Sequence, residues 1–444
     1  MLAVLRHRTY RHLFFAQVVA LVGTGLATVA LGLLAYELAG ADAGAVLGTA
    51  LAIKMVAYVL VAPIAGAYAS MLPRRSLLVA LDLSRLAVVL LLPWVSQVWQ
   101  IYVLIFVLQC SSAAFTPTFQ ATIPDVLPDE QDYTRALSLS RLAYDLENLL
   151  SPTLAALLLL VVSYHGLFLG TALGFIGSAL LVLSVLLPTP RSSGPRLSVR
   201  RKLTQGVRIY LATPRLRGLL ALTLTAAAGS ALVLVNTVVI VREGLSKPES
   251  AVAWALAAFG SGSMAAALLL PRILERHKDR MVMLTAATLL CALLIALATG
   301  LPLMSPAGQW PLLLGGWLLL GASYASVVTP GGRLLRRSSS EHDRPALFAA
   351  QFSLSHACWL IAYPVVGWLG AKASMTAAIW AMAALAVLGL LLARQVWPVA
   401  EEEVLAHQHD DLPADHPHLA EHAGQRRHAH PYFIDEQHQS WPSR

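Results

Sequence analysis

The chain has 444 residues, of which 57% are hydrophobic and only 13% charged, whereas about a quarter of the residues in a soluble domain are charged. Too few polar residues are available to cover water-facing surfaces, which excludes a water-soluble fold, a disulfide scaffold and a disordered chain. The formal net charge of +8 is unevenly distributed, because the segment from Pro398 onward carries −6 and the preceding residues therefore carry +14.

Twelve apolar stretches follow one another along the chain, each close to the length of about 20 residues that a helix needs to cross a bilayer. They lie near residues 13–36, 46–69, 77–95, 101–121, 136–162, 166–187, 217–241, 252–270, 281–301, 311–330, 346–369 and 374–396. We therefore predict an all-α integral membrane protein with twelve transmembrane helices, arranged as two six-helix halves on either side of a polar interval.

Lysine and arginine residues predict the orientation, because they are enriched in cytoplasmic loops. One set of connections carries nearly all of them, namely Arg6, Arg8, Arg11, Arg74, Arg75, Arg135, Arg272, Arg276, Lys278, Arg280, Arg333, Arg336, Arg337 and Arg344. The alternate connections carry only Arg242, Lys247 and Lys372. The first set is predicted to be cytoplasmic, and with an even number of spans both termini are cytoplasmic too.

These patterns divide the chain into four segments. They are an N-terminal six-helix bundle (1–188), a basic cytoplasmic linker (189–216), a C-terminal six-helix bundle (217–397) and a histidine-rich tail (398–444). The linker holds seven basic residues and no carboxylate from 188 to 216. We interpret it as a short helix on the anionic inner leaflet, with a disordered polybasic linker as the alternative. Nucleic-acid binding is not expected, because the basic residues follow the membrane topology.

Ionisable residues in the fifth stretch are functional candidates, since a charge at membrane depth is costly. Arg141 and Asp145 lie four residues apart on one helix face and are interpreted as a structural ion pair. Glu147 lies about 200° around the helix from Asp145 and has no local cation. It is the candidate proton carrier or cation ligand, with a bond to another helix as the alternative. Lys54, deep in the second stretch, is expected to pair with a carboxylate, for which Glu147 is a candidate.

Polar residues in other stretches are further candidates for the transport pathway. Asp82 and Arg85 lie three residues apart in the third stretch and are interpreted as a gate-stabilising pair. Asn236, Gln17 and Gln109 are neutral candidates for the cavity, with interhelical hydrogen bonding as their alternative.

A histidine and a cysteine stand close together in the eleventh stretch. His356 is a candidate ligand or proton acceptor, and a hydrogen-bonded structural histidine is the alternative. Cys358 is not expected to share an ion with it, because positions i and i+2 of a helix project about 200° apart.

The tail contains eight of the 14 histidines. They are His407, His409, His416, His418, His422, His428, His430 and His438. Six of them form three His-x-His pairs among aspartates and glutamates, and imidazole with carboxylate suits nickel, copper and zinc. The segment is low in large aliphatic residues and is predicted to be disordered without a ligand. It is interpreted as a tail that collects, buffers or senses a cation; the alternative is a solvated tail without a role.

Three parts of the sequence resemble the major facilitator superfamily. The opening LRHRTYRHLFFAQVVALVGTGL and the connection FTPTFQATIPDVLPDEQDYTRALSLSRL are similar to its drug- and siderophore-exporter branch. After the second stretch, GAYASMLPRR resembles the family loop Gly-x-x-x-Asp-Arg-x-Gly-Arg-Arg. Gly66, Arg74 and Arg75 fit this pattern and are gate candidates, whereas Ser70 and Met71 stand where the family has an acid and a base.

Within that superfamily, the histidine-rich tail together with the opening sequence resembles the bacterial nickel-resistance exporters. The resemblance implies a major facilitator fold in the bacterial inner membrane and export of a divalent metal cation, nickel first and cobalt second, by proton antiport. A siderophore or multidrug exporter of the same superfamily is the alternative. The expected partners are the lipid bilayer, the metal substrate and protons. No enzymatic activity and no resident cofactor are expected, and a monomer is expected.

Overall fold

A computed structural model of the chain describes most of its residues. The described residues are 2–68, 73–129, 132–133, 135–136, 139–140, 143, 151, 154–187, 199–339, 343–399, 404–408, 426–434, 438 and 441. Within the first half they form five long helices. These are α1 (Arg8–Ala39), α2 (Ala43–Tyr68), α3 (Arg74–Leu91), α4 (Val98–Val126) and α5 (Tyr164–Leu183). The predicted fifth span, 136–162, lies largely outside the described residues.

The second half begins with a helix in the predicted linker and continues with six long helices and one short one. In chain order they are α6 (Val199–Ala212), α7 (Pro214–Val239), α8 (Glu249–Arg276), α9 (Asp279–Leu303), α10 (Pro306–Val328), α11 (Gly331–Arg336), α12 (Arg344–Lys372) and α13 (Met375–Val396). Eleven of the twelve predicted stretches thus coincide with a helix in the described residues.

Local sequence explains where several of these helices begin. Pro214 and Pro306 stand in the first turns of α7 and α10, where a missing N–H costs nothing and the fixed φ suits a helix. Ser374 precedes α13, and its hydroxyl accepts a hydrogen bond from Ala377 N at 3.1 Å. Between such starts and stops the chain is apolar and satisfies its backbone internally, as a segment in lipid must.

Ten helical segments in the described part of the chain are long and apolar enough to cross a membrane. The first, Arg8–Val61, contains α1 and most of α2, which a short 3-10 turn (Gly40–Asp42) joins. Large apolar side chains remain exposed on the bundle, among them Leu173 (61% exposed) and Leu268 (71%). Such an exposed apolar surface fits contact with lipid. The exact count of twelve spans stays a prediction.

The two ends of the bundle differ in what they carry. We call the end with α6 and the start of α12 the linker end; here Gln205 Nε2 donates to Asp343 Oδ1 at 2.8 Å. Tyr210 of α6 is fully buried and donates to Gln351. Burial raises the pKa of the Tyr210 phenol well above its ordinary value, which keeps it a donor. The predicted linker helix exists, and α12 covers one side of it.

The opposite end, which we call the distal end, carries the α1–α2 and α12–α13 connections. Contacts between the two halves run mainly along α2 and α12. The largest buried cluster includes side chains from both halves, and a smaller one fills the linker end of the N-terminal half around Tyr10, Leu78 and Phe119.

The tail departs from the predicted disorder in its described residues. Strands β1 (Val404–Gln408) and β2 (Arg427–Pro431) pair antiparallel. Beyond them, Tyr432 and Ile434 are buried in the cluster that contains Trp397. Disorder was predicted because the tail has few large aliphatic residues. A few aromatic residues at the end of the tail suffice to pack it against the bundle.

Candidate functional site

A small polar cavity of about 30 Å³ lies among the helices of the N-terminal half. Helices α1, α2, α3 and α4 supply its walls. The lining residues are Gln17, Ala20, Leu21, Thr24, Lys54, Tyr58, Arg85, Ser112, Phe115 and Thr116. A water molecule needs a cavity of about 10–15 Å³, so this cavity has room for water or a small polar group.

Three atoms of the lining are buried without a hydrogen-bond partner among the described residues. They are Gln17 Oε1, Ser112 Oγ and Arg85 Nε, and each of these residues is at most 5% exposed. A buried polar atom left unpaired costs about 1–3 kcal/mol. One acceptor, one donor and one hydroxyl on residues that line the same cavity therefore indicate a binding site for a polar ligand.

The predicted pair of Asp82 and Arg85 is present and holds one side of this cavity. Arg85 donates to Asp82, and Asp82 also accepts from Ser178 Oγ of α5 at 2.7 Å. The Arg85 guanidinium carbon lies 4.3 Å from the ring centroid of Phe115 and 4.5 Å from that of Phe175. These contacts join α3, α4 and α5 within one half. The proposed gate role of the pair stays a prediction.

Aromatic stacking joins the cavity to the other half. Tyr58, in the cavity wall, stacks on His356 of α12 with ring centroids 5.1 Å apart, and Phe352 lies 5.6 Å from Tyr58. His356 Nδ1 also hydrogen-bonds to Phe352 O at 2.6 Å. Lys54 Nζ lies 5.8 Å from the Tyr58 ring centroid. The structure thus places Lys54 and His356 around one tyrosine, while Cys358 Sγ contacts Leu220 O instead.

At the distal end, polar contacts hold the two halves together. Tyr36, at the end of α1, donates to Glu243 Oε1 at 2.6 Å. The Arg242 guanidinium carbon lies 5.6 Å from the Tyr36 ring centroid. Lys372 Nζ lies 3.0 Å from Asp42 Oδ1, and both side chains are more than half exposed. These contacts close the distal end in this conformation.

Direct backbone packing of α2 against α12 adds to this closure. A Cβ on Gly367 would overlap the Gly44 carbonyl, and a Cβ on Gly48 would lie 2.5 Å from Tyr363 O. Asn236 is fully buried beside them, and its Nδ2 donates to Val366 O at 3.1 Å. Its contact is therefore an interhelical hydrogen bond, which was the alternative to a place in the cavity.

The loop pattern after α2 places its arginines in contacts at the linker end. Arg74 is buried and forms an ion pair with Asp125 at the end of α4. Arg75 donates to Leu183 O at the end of α5. Gly66 lies in the last turns of α2. Residues 69–72, between these positions, lie outside the described residues, and the gate role of the loop stays a prediction.

The candidate proton carrier lies outside the described residues, as do its neighbours Arg141 and Asp145. The proposed pairing of Lys54 with Glu147 and the proton role of Glu147 therefore stay predictions.

Four of the eight tail histidines lie in the described residues and four lie outside them. His407 is the register partner of His428, and His430 is the partner of Leu405. His438 is 4% exposed and lies against Tyr432. The remaining four, His409, His416, His418 and His422, lie outside the described residues. Over the part of the chain that the structure describes, no group of three or more His, Cys, Asp or Glu could hold a metal ion.

Sequence reasoning missed Tyr58, Ser112 and Tyr36. The pair Ser111-Ser112 within an otherwise apolar stretch is a signal for the cavity, but a lone tyrosine carries none. Their importance comes from neighbours far away in the chain, such as His356 for Tyr58.

Replacing Gln17 with leucine is expected to separate binding from folding. Leucine removes the unpaired Oε1 atom, so the unfolding temperature in detergent should stay the same or rise, because a desolvation cost of about 1–3 kcal/mol disappears. Transport in membrane vesicles should fall by about tenfold if a ligand uses that oxygen. Full transport by the variant would show that Gln17 has no part in binding.

Comparison with known proteins finds one matching protein family and a bacterial relative. The family described as Major Facilitator Superfamily matches residues 13–248 and 218–409. The MFS-type transporter YfiS of Bacillus subtilis (strain 168) is 23% identical over 283 residues, which is 61% of this chain and 65% of the relative. The alignment thus spans slightly less than two thirds of that relative's length.

Solved transporter structures share the fold at low identity. The nucleoside transporter NupG matches with a TM-score of 0.66 at 13% identity, covering 87% of this chain and 98% of that chain. A bacterial homologue of the human lysosomal transporter Spinster, inward-facing and unoccupied, matches with a TM-score of 0.65 at 11% identity, covering 89% and 99%. A D-xylose–proton symporter matches with a TM-score of 0.61 at 13% identity, covering 88% and 96%. At such identities the likeness concerns the fold alone.

Proposed function

This chain belongs to the major facilitator superfamily and is a multi-pass membrane transporter, and we propose that it exports a divalent transition-metal cation from the cytoplasm in exchange for protons. Nickel is the first proposed substrate and cobalt the second, and the consequence is metal resistance. The proposed location is the bacterial inner (plasma) membrane, which the bacterial origin of a relative supports, with both termini in the cytoplasm and the protein as a monomer.

The observation that carries the proposal is the histidine-rich tail at the linker end. Two of its histidines, His407 and His428, are direct partners in an antiparallel ladder, and such partners have Cβ atoms about 4.5–5.5 Å apart. The register therefore brings two histidine positions of the tail together, and imidazole suits nickel, copper and zinc. A cation collector beside the cytoplasmic mouth serves export, because it gathers the ion on the side from which it must leave.

A proton gradient is the proposed source of energy. The sequence has no GxxxxGK[ST] loop that would bind nucleotide phosphates. In this family of folds, two halves rock around a site near the middle of the membrane. The closed distal end, with Tyr36 on Glu243 and Lys372 on Asp42, fits one end state of such a cycle.

Cellular metal content tests the substrate. Cells that express the protein are grown with nickel, cobalt, zinc or copper, and cell-associated metal is measured against cells with an empty vector. Lower nickel in the expressing cells is the expected result. If, for each of the four metals, the expressing cells contained as much metal as the empty-vector cells, the proposal would be overturned.

The cavity favours a second candidate function, export of an organic molecule such as a siderophore or a drug. Its lining contains the cationic Lys54 and Arg85 with neutral Gln17 and Ser112, a set that suits an anionic or hydroxyl-bearing ligand better than a bare cation. Deletion of 399–444 separates the two functions. A metal exporter should lose metal tolerance at least in part, whereas export of an organic dye or siderophore should be unaffected.

Replacing Glu147 with glutamine is expected to abolish proton-coupled transport. Glutamine keeps the size of the side chain but cannot take up and release a proton, so it cannot serve as the acid–base group of the cycle. Glu275→Gln, the same change at an exposed position of α8, should transport normally. Substrate-driven proton movement in vesicles is the measurement, and wild-type proton movement in the Glu147 variant would reject this role.

A further inference from the structure

A second cavity lies between α3 and α5 at the linker end of the N-terminal half. Its volume is about 340 Å³, against about 30 Å³ for the polar cavity described above, and ligand pockets commonly have about 300–1,000 Å³. We call it the α3–α5 groove. The lining residues are Arg75, Ser76, Val79, Ala80 and Leu83 of α3 and Leu183, the last residue of α5.

The α3–α5 groove opens on the outer surface of the bundle. Ser76, Ala80 and Leu83 are all exposed, and their spacing of four and then three residues places them on one face of α3. Leu83 is 52% exposed and Leu183, on the other side of the groove, is 45% exposed. Because an exposed apolar face of a membrane-spanning helix contacts lipid, the groove is reached from the bilayer.

Polar and apolar lining residues are separated along the helix axis. Arg75 and Ser76 stand in the first turn of α3. Leu83 is eight residues further on, or about 12 Å along the axis at 1.5 Å per residue. The groove therefore has a basic end where α3 begins and an apolar wall that runs toward the middle of the membrane. A phospholipid has the same order, with a charged headgroup followed by acyl chains.

The charge of Arg75 has no carboxylate partner in the described part of the chain, in contrast to that of its neighbour Arg74, which is paired with Asp125. Residues 69–72, which precede α3, contain no carboxylate either. Arg75 donates to Leu183 O, and its Nε is buried without a hydrogen-bond partner among the described residues. A guanidinium in this condition is complementary to a phosphate group, which accepts several hydrogen bonds from it.

We propose that the α3–α5 groove binds an anionic phospholipid of the cytoplasmic leaflet. Its phosphate lies at Arg75 and Ser76, and the part of one acyl chain nearest the headgroup lies along Ala80 and Leu83. The linker end is the end predicted to be cytoplasmic, and that leaflet carries the anionic lipids. This inference goes beyond the proposed function, because the site lies on the outer surface of one half and is independent of the substrate.

Binding of radiolabelled phosphatidylglycerol to the purified full chain in neutral detergent tests the proposal. Arg75→Gln is expected to weaken binding by about tenfold to a hundredfold, because it removes hydrogen bonds to a charged group. Arg217→Gln is the matched control. Arg217 is an exposed arginine in the first turn of α7, at the same end of the bundle, and its loss removes the same charge outside the groove. This variant should bind as the wild type does.

Ala80→Phe tests the apolar part of the groove and leaves the charge unchanged. The ring would occupy the space of the acyl chain, so phosphatidylglycerol binding should weaken by about tenfold, as expected when apolar contact of this size is lost. Ala87→Phe is the control, because Ala87 is exposed two turns further along the same face of α3 and does not line the groove. It should bind as the wild type does.

Two further ligands identify what the site recognises. Phosphatidylcholine, which has a phosphate and acyl chains but no net charge, should bind more weakly than phosphatidylglycerol, and inorganic phosphate should not displace the labelled lipid. Equal affinities of the wild type, Arg75→Gln and Ala80→Phe for phosphatidylglycerol would overturn the inference. Displacement of the lipid by an equal concentration of inorganic phosphate would also overturn it, because the site would then be one for a soluble anion. Neither result depends on whether the protein exports nickel.

Discussion

Replacing Asp82 with alanine is expected to lower the free energy of unfolding by about 3–5 kcal/mol, because the substitution leaves a buried charge without its partner. The side chains of Arg85 and Asp82 are 4% and 0% exposed. Arg85 is packed against the rings of Phe115 and Phe175, so its charge stays buried when the carboxylate is removed. The same substitution also removes the acceptor for Ser178.

The exposed pair of Arg135 and Asp132 supplies the matched control. It has the same three-residue spacing and a distance of 2.9 Å, but its side chains are 43% and 41% exposed. Exposed pairs contribute about 0–1 kcal/mol, so Asp132→Ala should change stability little. Denaturant unfolding of the full chain in detergent is the measurement. The double change Asp82→Leu with Arg85→Met should recover part of the loss, and equal losses for Asp82→Ala and Asp132→Ala would contradict the account.

Replacing Gly367 with valine is expected to open the distal end and to lower transport. A Cβ there would overlap the Gly44 carbonyl and lie 3.2 Å from Gly48 Cα, and backbone atoms cannot move aside as a flexible side chain can. Overpacking of this kind costs about 1–3 kcal/mol. The distal-closed conformation should therefore lose about tenfold to a hundredfold in population, and transport should fall accordingly.

Thiol labelling measures the opening of the distal end. Thr49→Cys places a thiol where α2 meets Trp368, whose Nε1 donates to the Thr49 hydroxyl at 3.1 Å. A membrane-impermeant reagent added to whole cells should label this thiol faster when Gly367→Val is also present. Gly315→Val is the control, because a Cβ on Gly315 would meet nothing within 4 Å. Unchanged labelling and full transport in Gly367→Val would show that this contact does not hold the end closed.

Much of the fold could be predicted from the sequence because membrane helices are specified locally. A long apolar run must form a helix to satisfy its backbone in lipid, and the predicted stretch 252–270 lies within Glu249–Arg276 for that reason. The pair of Asp82 and Arg85 was equally local, since a three-residue spacing places both on one helix face.

The rest of the site depends on contacts between distant residues. The stack of Tyr58 on His356 joins positions 298 residues apart in the chain. The local sequence around either residue does not predict this contact. The close packing of α2 against α12 at Gly44, Gly48 and Gly367 is likewise a contact between residues far apart in the chain. In the tail, composition predicted disorder, but residues 404–408 pair with 427–431, and Tyr432 is buried against a surface of the bundle. Composition carries no information about such a surface.

Nickel movement in everted membrane vesicles tests the central claim most directly. The vesicle interior is made acid, so that the proton gradient is directed outward, and radioactive nickel uptake is followed together with internal pH. The account predicts nickel accumulation that needs the gradient, drives proton efflux and disappears in Glu147→Gln. Vesicles that take up no nickel but move an organic dye or a siderophore under the same gradient would contradict it.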